Sequence, residues 1–133
     1  MAIRPTFSWA HLGLVFAGGA VGSAARLAIL LIEDPSTQWL SIPLINVVGS
    51  FLLAIVTGWA ERVADPARAA RLRTFWGVGA MGGFTTYSSF AVLVLDPTLL
   101  PLAAATVLAG LAAAVAGLWI TRPRSTHPSG HPA

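Results

Sequence analysis

Four apolar runs, each long enough to cross a bilayer and each set off by a short polar break, constrain this chain more than any other feature. A crossing helix needs about 20 apolar residues, and the runs cover roughly residues 9–32, 39–60, 75–95 and 98–121. The breaks read EDPSTQ, ERVADPARAARLR and DP. Only 10% of the residues are charged while 56% are hydrophobic; a water-soluble domain of this size needs more charge to cover its surface. Trp9, Trp39, Trp59, Trp76 and Trp119 all fall at run ends, where an amphipathic ring prefers the headgroup level. The expected fold class is all-α integral membrane: a four-helix transmembrane domain over residues 1–122, followed by a Pro/Ser-rich tail, 123–133, expected to be disordered. Arg4, the first apolar run and the SAA before Arg26 imitate a cleaved secretory signal. The run continues through LAILLI to full membrane length, so it is read as a span.

Arginines set the expected topology. The chain has eight arginines and no lysine. Arg4, Arg62, Arg68, Arg71, Arg73, Arg122 and Arg124 share one side of a four-span arrangement, and the opposite side has none. The positive-inside rule then predicts a multi-pass protein of the cell membrane with both termini in the cytoplasm. Arg26 is the exception, inside span one and about 9 Å from its outer end. It is read either as snorkelling to the interface or as structural or pore-facing.

Composition also excludes. Without cysteine there is no disulfide, thiol catalysis or Cys-ligated metal, and His11, His127 and His131 form no ligand cluster. No nucleophile–base pair or cofactor motif points to an enzyme. The high pI invites a nucleic-acid reading, but the arginines flank apolar spans and form no separate basic domain. No Asp, Glu, Lys or His lies deep in a span, which argues against proton-coupled export and against an acid-lined cation pore.

What the spans do contain is neutral and polar: Asn46, then Thr85, Thr86, Ser88 and Ser89 around Tyr87 and Phe90, then Thr106. Helical spacing puts Thr85 beside Ser89, Thr86 beside Phe90, and Tyr87 on the face of Phe90. Hydroxyl and amide hydrogens can stand in for part of an anion's water, and ring edges carry positive potential. Gly82-Gly83 is expected to break the third helix at mid-membrane, freeing carbonyls suited to a cation. The competing reading is a plain helix-packing surface of small residues and rings.

Three stretches resemble one family. GAMGGFTTYSSF in span three is similar to the GxxGGFTTFSTF signature of the small bacterial fluoride channels (Fluc/CrcB). INVVGSFLLA in span two resembles that family's VNxxGSFxLG stretch, and GGAVGSAARLAI in span one its GGxxGAxxRY stretch. The resemblance implies passive fluoride export by an antiparallel dimer with two pores and a structural sodium ion. It implies sodium-ligating carbonyls at Gly82 and Thr85, pore roles for Asn46, Tyr87, Ser88 and Phe90 alongside Thr86, Ser89 and Thr106, and a structural or vestibule role for Arg26.

The chain also departs from the pattern. Tyr87 stands where the family has Phe, and span four keeps only Thr106 of an expected polar track, with Gly110 and Ala114 at the next two turns. A strong arginine bias suits one fixed orientation, so the expected partner is a homologous subunit inserted the other way rather than a second copy. The competing function is a non-conducting structural or assembly subunit.

Overall fold

The computed structural model describes residues 8–122; the tail expected to be disordered, with Arg4 and Arg124, lies outside them. Helix α1 spans Trp9–Leu31 and α2 spans Gln38–Ala60. We label α3 the continuous run of an α-helical segment Pro66–Leu72, a π-helical segment Arg73–Met81 and one turn Gly82–Phe84. Helix α4 is Tyr87–Val94, and α5 is Leu100–Ile120, entered through a 3-10 turn at Pro97–Leu99. Four membrane-length helical units result, the third running from Pro66 to Val94 with an interruption before α4.

The polar connection ERVADPARAARLR is not a simple break, because half of it is the first part of α3. Asp65 caps that helix, its carboxylate accepting from the N–H groups of Ala67 (3.0 Å) and Arg68 (3.3 Å). Pro66 follows at the first helical position, where its missing N–H leaves no bond unmade. Trp76 therefore lies ten residues inside a helix rather than at its start.

Packing depends on small residues. Helix α1 lies against α3 through Gly18 and Gly22, where a Cβ would collide with the carbonyls of Phe75 and Ala80. Gly79 returns the contact, with Val15 O only 2.9 Å from the position of its absent Cβ. Between α2 and α5, a Cβ on Gly117 would sit 2.8 Å from Ala54 Cβ. Close backbone approach of this kind replaces the hydrophobic driving force that lipid removes. Accordingly, Gly22→Val is expected to abolish recoverable folded protein. Gly13→Ala, whose added Cβ meets nothing within 4 Å, should leave yield and thermal midpoint in detergent nearly unchanged.

The ends of the spans differ in charge as the sequence led us to expect. Arg62 donates to the carbonyl of Arg122 (3.0 Å), tying the exit of α2 to the exit of α5 at the arginine-bearing end. At the other end Asp34 and Asp96 close short turns. The Ser36 side chain and N–H hold the Asp34 carboxyl below its ordinary range, and Thr98 does the same for Asp96. These turn bonds are complete above the ordinary carboxylate pKa and are lost only as pH falls through the lowered values.

Candidate functional site

The interruption in the third unit falls at Thr85-Thr86, not at Gly82-Gly83. Gly82 is helical (φ −63°, ψ −36°), whereas Thr85 (φ −73°, ψ 159°) and Thr86 (φ −139°, ψ 117°) are extended. The glycines do not open the backbone. Gly83 is needed because a Cβ there would strike the carbonyl of Gly19, while one on Gly82 would meet nothing within 4 Å.

Three side chains from the neighbouring helices α1 and α2 hold this part of the backbone. Thr85 N–H still donates to Met81 O (2.9 Å), but Thr86 N–H leaves the helical ladder and donates to Asn46 Oδ1 (2.9 Å). Asn46 Nδ2 in turn donates to Thr86 O (3.1 Å). Because a peptide N–H can only donate, this pairing fixes which end of the amide is which. One amide hydrogen of Asn46 then has no protein acceptor among the described residues. On the other side Arg26 Nη1 donates to Thr85 O (3.2 Å) and Ser23 Oγ to Gly83 O (3.4 Å). Gly82 O loses its helical donor to Asn46 and gains no other among the described residues.

Around this hold the expected site residues separate onto two faces. An open groove of about 900 Å³ between α2, α3, α4 and α5 takes Asn46, Gly82, Thr85, Thr86, Tyr87, Phe90 and Thr106. Ser88 and Ser89 line a different cleft, about 370 Å³, beside Arg26, with Thr86 bordering both. The expected one-turn neighbourhood of Thr85 and Ser89 fails because the extended residues between them do not advance along a helix. Tyr87 and Phe90, both inside α4, keep their common face. Tyr87 is 83% exposed, so its ring projects from the lone protomer at the groove's edge.

Hydroxyl direction corrects another expectation. Thr85 Oγ1 donates to Met81 O (2.8 Å) and Thr106 Oγ1 to Leu102 O (2.7 Å). Ser50, a groove residue that sequence reasoning missed, donates to Asn46 O (2.8 Å). These groups turn oxygen lone pairs, not protons, toward open space. Asn46 thus brings the groove an amide hydrogen held in place by its pairing with Thr86, and Arg73 is the groove's one charged lining residue. Ser50 sits one turn after Asn46 on α2, a spacing that would have revealed it. Thr106, Gly110 and Ala114 all line the groove, so the α5 wall has one hydroxyl over those three turns.

Comparison with known proteins identifies the family. The family model described as CrcB-like protein, Camphor Resistance (CrcB), matches residues 13–119. A protein named Fluoride-specific ion channel FluC 2 from Leifsonia xyli is 42% identical over 115 residues, covering 79% of this chain and 79% of the relative. A second of that name from Rubrobacter xylanophilus is 38% identical over 128 residues, covering 84% and 82%. Fluoride-specific ion channel FluC from Caulobacter vibrioides is 36% identical over 120 residues, covering 82% and 93%. No solved structure matches the chain. With the match reaching from α1 to α5, the chain belongs to the CrcB family of membrane proteins.

Proposed function

We propose that this protein is a subunit of a fluoride-selective channel that lets cytoplasmic fluoride leave the cell down its electrochemical gradient. Hydrogen fluoride is a neutral weak acid that crosses membranes and dissociates in a more alkaline interior, so a passive anion path is enough to relieve the load. The observation that carries the reading is the Asn46 amide. Both its polar atoms are committed to the Thr86 backbone, which aims its remaining hydrogen without freedom to turn away. Fluoride holds water tightly, and a donor already fixed in place replaces that water without the reorganisation a loose side chain requires. Tyr87 and Phe90 border the same groove and offer ring edges. Thr86 and Thr106 supply hydroxyls that must rotate off their present partners to donate. Ser88 and Ser89 lie off this groove.

Gly82 O and Thr85 O fit a structural sodium ion in kind, being neutral, hard oxygens outside the helical ladder. Two oxygens from one chain would not enclose an ion, so a second protomer would have to complete its shell, and Arg26 already donates to the Thr85 oxygen. When bound, such an ion would serve to join the two protomers rather than to be transported. The exposed groove and the projecting Tyr87 suit an antiparallel dimer, and the one-sided arginines favour a homologous, oppositely inserted partner, with this chain's termini in the cytoplasm. The α5 wall, with Thr106 as its sole hydroxyl along three turns, favours the second reading, a subunit whose own corridor does not conduct.

Growth tests the function. In bacteria stripped of their own fluoride export, co-expression of this chain with its homologue should restore growth at inhibitory fluoride. Growth no better than the empty vector, with both chains present in the membrane, would count against it.

A further inference from the structure

Helices α2 and α5 leave the membrane at the arginine-bearing end, and they finish in the same way. One closes on WAER and the other on WITR, a Trp followed three residues later by an Arg. In each, the arginine N–H reaches back to the tryptophan carbonyl, Arg62 to Trp59 O (3.0 Å) and Arg122 to Trp119 O (3.4 Å). The two ends also touch. Thr121 is buried, its hydroxyl shared between Gly117 O (2.8 Å) and Leu118 O (3.2 Å), and it fills the space that a Cβ on Gly58 would need. Arg62 crosses this seam to the carbonyl of Arg122, which sets its guanidinium against the backbone of the second arginine. That bond spends one N–H. The other donors of the two side chains find no acceptor among the described residues, and no carboxylate there pairs with either arginine. Asp65, a carboxylate of the same end, is committed to capping α3. Trp59 and Trp119 are both exposed, as rings lying at the headgroup level are.

We propose that the paired Trp-x-x-Arg ends of α2 and α5 bind the phosphate of an anionic phospholipid headgroup, with Arg62 and Arg122 as donors and Trp59 and Trp119 against the glycerol and upper acyl chains. A guanidinium fork matches phosphate oxygens with two parallel N–H bonds, which a flexible ammonium does not do. A zwitterionic headgroup brings a cation of its own, which two unneutralised arginines repel, so the site selects lipids of net negative charge. A phosphate held by both arginines ties together the exits of two helices that wall the groove, adding to the bond Arg62 already makes. The site stands apart from the channel reading, since lipid binding needs no fluoride flux.

Thermal unfolding of the delipidated assembly in detergent, at fixed ionic strength, tests the site. Added phosphatidylglycerol should raise the melting temperature of wild type by a few degrees, whereas phosphatidylcholine of the same acyl chains and inorganic phosphate should not. Arg122→Gln keeps the backbone carbonyl to which Arg62 donates, so the fold's own tie survives while the rise should fall by at least half. Arg62→Gln combined with Arg122→Gln should remove the rise. Arg68→Gln combined with Arg71→Gln takes the same charge from α3 and should leave it intact. No rise in wild type, an equal rise with phosphatidylcholine, or a full rise in Arg122→Gln overturns the site. A rise with inorganic phosphate as large as with phosphatidylglycerol overturns the lipid as its source. A rise that falls equally in the α3 pair overturns it too, because net charge alone then accounts for the effect.

Discussion

Asn46→Ala is expected to lower fluoride efflux from reconstituted vesicles by about a hundredfold while the yield of assembled protein falls far less. The size follows from what the side chain does. Its removal leaves the Thr86 N–H and C=O, in a residue only 6% exposed, without their partners, and each orphaned group costs about 1–3 kcal/mol. The same change deletes the one fixed amide hydrogen of the groove. Asn46→Asp separates the two effects. It retains an acceptor for Thr86 N–H but sets a carboxylate against Thr86 O and against any passing anion, so efflux should drop at least as far. Efflux within about threefold of wild type in Asn46→Ala would mean that the amide only packs. Equal loss of efflux and assembled protein would point to the same conclusion.

Gly82→Val should divide folding from assembly. A Cβ there meets nothing within 4 Å inside the chain, so helicity and expression should survive. If Gly82 O and Thr85 O face a cation shared with a second protomer, valine crowds that approach and the dimer should fall by more than tenfold on size-exclusion chromatography, even at high sodium. Gly83→Val is the informative contrast. There the clash is with Gly19 inside the same chain, and folded protein itself should be lost. A Gly82→Val dimer as abundant as wild type would remove Gly82 from the cation shell, as would wild-type assembly indifferent to the replacement of all monovalent metal cations.

The separation of Ser88 and Ser89 from the groove shows where reading from sequence stops. The four spans were legible because lipid demands long apolar runs, and the Asp65-Pro66 pair announces the start of α3 in plain cap chemistry. Position along the third unit was not legible to the same depth. Counting 100° per residue assumes an unbroken α-helix. Here a π-helical stretch from Arg73 to Met81 changes the phase, and two extended residues then interrupt it. Side chains beyond the interruption therefore face directions that helical spacing across it cannot give, while Tyr87 and Phe90, within one intact helix, keep the relation their spacing implies.

The glycines misled for a related reason. Local propensity marks Gly82-Gly83 as weak, yet no described glycine adopts a positive φ. What opens the backbone is tertiary: Asn46 outcompetes the Gly82 carbonyl for the Thr86 N–H, and Arg26 and Ser23 donate to carbonyls on the other side. A competition between helices 40 and 59 residues apart in sequence leaves no local signature.

The most direct measurement is fluoride efflux from sealed liposomes loaded with potassium fluoride, followed with an ion-selective electrode after the potassium gradient is short-circuited by an ionophore. The vesicles should hold the chain together with the homologue proposed as its oppositely inserted partner, beside a matched set loaded with chloride. Rapid release of fluoride with chloride retained is the expected result. Vesicles that keep both halides, although both subunits are present and assembled, would contradict a conducting role.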